Sequence, residues 1–228
     1  MKVLELFSGT GSVGKVCKER GWEVISLDIS RKFDKDITIE TDITKWDYKN
    51  SIYKPKEFDI IWASPPCATF SCLQWTTNGR KCCRDKFETV EEWRKWSQDK
   101  IEKNIKENGL PPLNAALDII DYFKPKHFFI ENPATGSMKK YITDIEYTDA
   151  DYCMYSNWGY KKKTRFWNNS GCKLNLCNKK CGNMIGNKHS VSIGRISFTG
   201  KLKDKYRVPP KLINILFDQA LNIRPLNN

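Results

Sequence analysis

Three short stretches of this 228-residue chain bring together residue types that can do chemistry. In Ala63-Ser-Pro-Pro-Cys67, two prolines follow an apolar run and fix the chain direction, so Pro65 and Pro66 would hold Cys67 on a rigid turn facing a crevice. A thiol held there, with positive charge nearby, is a nucleophile in its thiolate form. In Phe128-Phe-Ile-Glu-Asn-Pro133, a carboxyl group ends an apolar run and is capped by an Asn-Pro turn, so Glu131 would point into the same crevice. Such a group can hydrogen-bond or protonate a ring nitrogen. The third stretch, Phe7-Ser8-Gly9-Thr10-Gly11-Ser-Val-Gly14, has the spacing G-x-G-x-x-G, which lets the backbone turn tightly and approach a ligand. Asp28, some way downstream, is placed to accept hydrogen bonds from ribose hydroxyls. Asp42 is either a partner for an adenine amino group or a solvated loop acid. From these residues alone the loop fits a dinucleotide or S-adenosylmethionine.

A fourth group lies towards the C-terminus: Cys172, Cys177 and Cys181, with His189 eight residues later. It reads either as free thiols or as a tetrahedral Cys3His zinc site, with Cys153 as an alternative fourth ligand; such a site would staple a loop-rich segment poor in apolar residues. The adjacent Cys82 and Cys83 cannot easily share one tetrahedral site and read as non-metal, and His127 reads as structural.

The elements that must position these groups follow from hydrophobic patterning. Lys2–Phe7, Glu23–Asp28, Phe58–Trp62 and His127–Glu131 read as strands, and Ser12–Arg20 and Leu113–Phe123 as helices, with Pro111-Pro112 at the second helix's start. This alternation predicts an α/β fold with a doubly wound, mostly parallel sheet. Ligands of such sheets bind outside the carboxyl ends of the strands, which is where all three stretches fall. Between them a charged insert, 77–109, carries Trp93, Trp96, Ile101 and Ile105 at helical spacing and is expected to close at Asn108-Gly109. Leu212, Ile213, Leu216, Phe217 and Ala220 predict a terminal amphipathic helix. The expected organisation is a core over 1–168, a small basic module over 169–205 and a returning helix over 206–228.

With 39 % hydrophobic and 12 % aromatic residues the chain is not of the disordered class. No apolar run approaches the ~20 residues of a membrane span. Met1–Ser8 reads as a strand rather than a secretory signal, so the protein is expected inside the cell with its nine cysteines reduced. The net charge of +12 is unevenly placed: residues 153–228 hold fifteen Lys/Arg against two acids, whereas residues 1–152 hold 24 against 25. A near-neutral body with a basic C-terminal third suggests a polyanionic partner; nucleic acid is preferred to a membrane surface because no basic amphipathic helix is present.

Taken jointly, Glu5-Leu-Phe-Ser-Gly-Thr-Gly11, Pro-Pro-Cys67 and Glu131-Asn-Pro, in this order, resemble the cytosine-C5 DNA methyltransferases. Gly159-Tyr-Lys-Lys-Lys-Thr-Arg-Phe-Trp-Asn168 and Arg207-Val-Pro-Pro-Lys-Leu212 are similar to segments of the small members encoded by phages and large DNA viruses. The resemblance implies the Rossmann-like fold of S-adenosylmethionine-dependent methyltransferases. It implies a Cys67 that adds to C6 of cytosine and a Glu131 that holds N3 and the amino group. Lys163 and Arg165 would fill the family's two basic positions, Arg165 holding O2 of the base or orienting Cys67. Phe7, Ser8, Gly9, Thr10, Gly11, Asp28, Asp42 and Pro65 would line the cofactor site. The target base would be turned out of duplex DNA, and in a viral setting the enzyme would work in host cytoplasm or nucleus. Departures are Lys161 for the usual Gln, Lys163 for Arg, Tyr206-Arg207 where Gly-Asn is common, and a short recognition segment, Asn169–Lys205. Methylation of RNA, or nucleic-acid binding without catalysis, are the alternatives.

Overall fold

The computed structural model describes residues 1–74, 86–192 and 202–223. Part of the charged insert, including Cys82 and Cys83, lies outside these described residues, as does part of the basic module.

Seven strands form one sheet: β1 (Lys2–Leu6), β2 (Glu23–Asp28), β3 (Ile39–Glu40), β4 (Ile60–Ala63), β5 (His127–Pro133), β6 (Tyr147–Asp151) and β7 (Lys163–Asn168), in the order β3-β2-β1-β4-β5-β7-β6. The first five are parallel, and β7 runs antiparallel to both neighbours. The continuous apolar runs arise because both faces are covered. Successive side chains alternate across the sheet. Leu4, Ile61 and Ile130 therefore join one core under helix α3 (Leu110–Phe123), with Leu113, Ile119 and Phe123. Val3, Ile60 and Phe129 join the other, under α1 (Ser12–Glu19) and α5 (Pro210–Ala220), with Val16, Leu216 and Phe217. This is the doubly wound α/β arrangement expected, and the chain reverses direction of travel between β1 and β4, which opens the crevice at their carboxyl ends.

The insert differs from expectation. Helix α2 (Val90–Asn104) opens with a capping box between Thr89 and Glu92, then runs through a wider turn, Ile105–Gly109, straight into α3. Asn108-Gly109 does not close it. A Cβ on Gly109 would come within 2.8 Å of Thr69 Oγ1 and 3.0 Å of Phe70, so this glycine serves close packing against the turn after Cys67.

Strand β6, Tyr-Thr-Asp-Ala-Asp, has little apolar content and escapes a hydrophobic-pattern reading. Its acids are met by bases: Asp149 pairs with Arg165 and Lys163 of β7, and Asp151 with Lys161 just before that strand. Among its described residues the basic module is mostly irregular, with one short hairpin of β8 (Met184–Ile185) and β9 (Lys188–His189) and, further on, α4 (Leu202–Tyr206). The terminal helix α5 buries all five residues anticipated for its apolar face, and its Asp218 accepts a hydrogen bond from Arg20 at 2.8 Å. No helix among the described residues is long and apolar enough to cross a membrane.

Candidate active site

A cavity of about 580 Å³ lies at the strand ends, within the range of small-molecule sites. Its walls bring together Phe7, Ser8, Gly9, Thr10, Asp28, Asp42, Pro65, Cys67 and Glu131 from the sequence-derived set.

The glycine loop is built on backbone torsions that L-residues avoid: Phe7, Gly9 and Gly11 all have positive φ, at 59°, 52° and 64°. For Phe7, which has a Cβ, this is an uncommon conformation of the kind found at functional sites, and nothing in the sequence announces it. A Cβ on Gly11 would collide with the Asp34 carboxylate. Asp28 Oδ2 accepts a hydrogen bond from Gly9 N at 2.8 Å, so this acid supports the loop as well as lining the cavity. Asp42 caps a short turn by accepting from Thr44 N and Oγ1, and these bonds hold its carboxyl below the ordinary range. Ser8 Oγ is buried without a hydrogen-bond partner, a polar atom the fold itself does not use.

Glu5, beneath the loop, is a residue that sequence reasoning noted only as part of a motif. Its two oxygens accept the Val13 and Gly14 N–H groups at 3.2 and 2.9 Å, anchoring the start of α1. Burial pushes its carboxyl up to about 8 against the pull of those two donors.

Cys67 leaves β4 through Ser64-Pro65-Pro66 and starts a single turn, Ala68–Phe70. The neighbouring strand end is tied to it: Asn132 Nδ2 donates to Pro65 O at 2.9 Å, a buried bond joining the Cys67 turn to the Glu131 strand. Burial pushes the Cys67 thiol up, the Glu131 carboxylate pushes it further, and Lys162 opposes both. The thiol is thus held above its ordinary range, with the positive charge of Lys162 acting in favour of the thiolate. Glu131 is 7 % exposed and its Oε1 accepts from Tyr152 Oη at 3.1 Å, with Lys162 Nζ 3.7 Å away.

The basic pair is arranged differently from the sequence reading. Lys163 and Arg165 both engage Asp149, Arg165 through two hydrogen bonds at 2.8 and 3.1 Å and Lys163 at 3.2 Å. Arg165 also lies over the Tyr147 ring, 3.5 Å from its centroid. Neither residue lines the cavity; Lys162 does. Strand alternation is the reason, because Arg165 pairs with Asn132 and Lys163 with Asp151, whereas Phe166 and Thr164 share the face of Glu131. Lys162, just before the strand, reaches the Glu131 side.

The cysteine set is also rearranged. The atoms that converge belong to Cys153, Cys177, Cys181 and His189, all within 4.8 Å of one another. Cys172 is not among them: it is buried in the core beneath α5, its Sγ 3.7 Å from Leu216 O. The loop-rich segment after β7 passes the terminal helix before it turns back to the core, and spacing along the chain cannot show that.

No protein-family profile matches the chain. It is 39 % identical over 233 residues to a protein of Frog virus 3 (isolate Goorha) described as "Probable DNA (cytosine-5)-methyltransferase", covering 96 % of this chain and 99 % of that one. Among solved structures it is similar to the Entamoeba histolytica methyltransferase EhMeth, with 17 % identity and a TM-score of 0.48 over 84 % of this chain and 57 % of that one. It is also similar to a mutant of Spodoptera frugiperda DNMT2, with 15 % identity and a TM-score of 0.40 over 72 % of this chain. The chain spans about half the length of that DNMT2, at 49 %. Near-complete coverage of the viral protein, together with the ordered Glu5–Gly11, Pro-Pro-Cys67 and Glu131-Asn-Pro segments around one cavity, has a single outcome: the chain belongs to the DNA (cytosine-5)-methyltransferase family.

Proposed function

We propose that the protein methylates C5 of cytosine in DNA, with S-adenosylmethionine as methyl donor. The observation that carries this is the lining of one cavity by the glycine loop, Cys67 and Glu131 together. The residues suit the donor: a glycine loop of positive φ, the Asp28 carboxylate and the Phe7 ring line one cavity, and the buried Ser8 hydroxyl is unspent. When bound, S-adenosylmethionine supplies an electrophilic methyl group on sulfonium.

The chain's own residues do the rest. Cytosine C5 is a weak nucleophile until aromaticity is broken. Cys67 loses its proton and its Sγ bonds to C6, so electron density moves onto C5. Glu131 holds N3 and the amino group so that negative charge does not accumulate on the ring. Tyr152 and Lys162 hold one Glu131 oxygen in place. Once C5 carries the methyl group, a base takes the C5 proton, the C5–H pair forms the C5–C6 double bond, and the C6–S pair returns to Cys67 as thiolate. The target base is turned out of the duplex, at a cost of a few kcal/mol, to reach a cavity recessed at the strand ends. The basic C-terminal third supplies contacts to phosphates.

The test is methyl transfer from labelled S-adenosylmethionine to duplex DNA and, in parallel, to transfer RNA, followed by nucleoside mass spectrometry. The expected product is 5-methylcytosine in DNA, lost in Cys67→Ala. Label confined to RNA would overturn the DNA assignment, and full transfer by Cys67→Ala would overturn the mechanism.

A further inference from the structure

The four side chains gathered from β6's far end and the basic module have no part in methyl transfer, yet they converge. Cys153 lies in the turn Tyr152–Met154, Cys177 and Cys181 on the irregular stretch after β7, and His189 at the end of β9. His189 Nε2 is 3.3 Å from Cys181 Sγ and 3.6 Å from Cys177 Sγ. Zinc bonds of ~2.3 Å to sulfur and ~2.0 Å to nitrogen, set tetrahedrally, separate the ligand atoms by about 3.5–3.8 Å. The cluster is thus already near the dimensions of a ligand shell, with a donor set of three thiols and one imidazole that suits zinc above harder cations. Lys179 N donates to Cys177 Sγ at 3.3 Å, a bond that would stabilise a metal-bound thiolate.

We propose that Cys153, Cys177, Cys181 and His189 hold one structural zinc ion that clamps the basic module onto the core.

The surroundings explain why a clamp belongs here. The segment 171–183 has no regular strand or helix of its own. It is tied to the core by hydrogen bonds, among them Cys177 N to Asp151 Oδ2 at 2.7 Å, Asn175 N to Tyr155 Oη at 2.6 Å, and Asn183 Nδ2 to Cys153 O at 2.9 Å. A module this poor in apolar contacts gains its fixed shape from a metal more readily than from burial. The position has a consequence for the active site. Cys153 follows directly on Tyr152, the residue whose hydroxyl holds Glu131, so the ion joins the part that carries positive charge to the part that carries the chemistry.

Metal content of the protein purified from zinc-containing medium is the direct test, with cobalt substitution as the second measurement. About one zinc per chain is expected, and the cobalt form should give the intense ligand-field bands of a tetrahedral site with thiolate-to-metal charge transfer. Cys177→Ser should lower the charge-transfer intensity by about one third, since one of three thiolates is lost, while Cys172→Ser should leave it unchanged. Zinc far below one per chain with no tetrahedral cobalt spectrum would overturn the proposal. So would a disulfide between any two of the three cysteines in the metal-free native protein. Both readouts are independent of methyl transfer, so the fate of this site and that of the methyltransferase assignment are separable.

Discussion

The hydroxyl of Tyr152 donates a hydrogen bond to Oε1 of Glu131 at 3.1 Å, with both residues buried. Burial, and then the charge of Glu131, hold the Tyr152 phenol well above its ordinary range, so it stays a donor at any working pH. Because Lys162 Nζ stands 3.7 Å from the same oxygen, the carboxylate is fixed on one side before substrate arrives. Tyr152→Phe keeps the ring against Trp158 and removes only this donor. A hydrogen bond to a charged group contributes ~1.5–3 kcal/mol; with Glu131 no longer held, turnover should fall roughly tenfold or more, and the melting temperature should drop as the buried bond is lost. Steady-state kinetics beside a thermal melt would check this, and an unaltered kcat would remove Tyr152 from the positioning role.

The Cys67 thiol is held above its ordinary range by burial and by Glu131, with Lys162 pulling the other way. Because the thiolate attacks, kcat/KM is expected to rise with pH on its alkaline side. Lys162→Met leaves burial and the Glu131 charge unopposed and should move that rise to higher pH. Superimposable profiles for the two proteins would show that Lys162 does not act on the thiol.

Glu5 gives a stability prediction with a definite sign. Its folded value of about 8 lies above its ordinary 4.5, so the native state holds a proton that the unfolded state has released over that interval. Its contribution to stability is present below about 4.5, declines as pH rises, and is fully lost above about 8. Chemical denaturation across this range should show a falling trend in the wild type that is flatter in Glu5→Gln. Parallel trends in both proteins would exclude Glu5 as the source.

Two substitutions separate the cofactor loop from the sheet edge. Gly11→Ala places a Cβ against Asp34 at a φ of 64°, and should abolish S-adenosylmethionine binding in calorimetry while the fold persists. Arg165→Ala instead leaves Asp149 with Lys163 as its remaining basic partner, and strips the cation from the Tyr147 ring. A loss of about 1–3 kcal/mol in stability is expected, with cofactor affinity retained. Normal stability accompanied by lost methyl transfer in Arg165→Ala would return this residue to the substrate.

The chemistry was legible because its residues are local in sequence. Pro-Pro-Cys67, Glu131-Asn-Pro and the glycine loop each end a strand, and strand ends are visible wherever an apolar run stops at proline or glycine. The four anticipated strands are largely apolar runs, which burial on both sides of a parallel sheet requires. Edge strand β6 lacked that signature, since its acids are matched instead by Arg165, Lys163 and Lys161.

By itself the sequence determined the α/β layering, the candidate nucleophile Cys67 with its candidate partner Glu131, and the C-terminal placement of positive charge. Only the tertiary structure decided which of three adjacent lysines and one arginine reaches the cavity, because one residue of strand register moves a side chain to the opposite face. It alone exchanged Cys172 for Cys153 in the cysteine cluster, since ligand atoms are selected by distance through space and not by spacing along the chain. It also set the surroundings of Cys67: a motif carries no information about burial, and burial with the Glu131 charge raises that thiol.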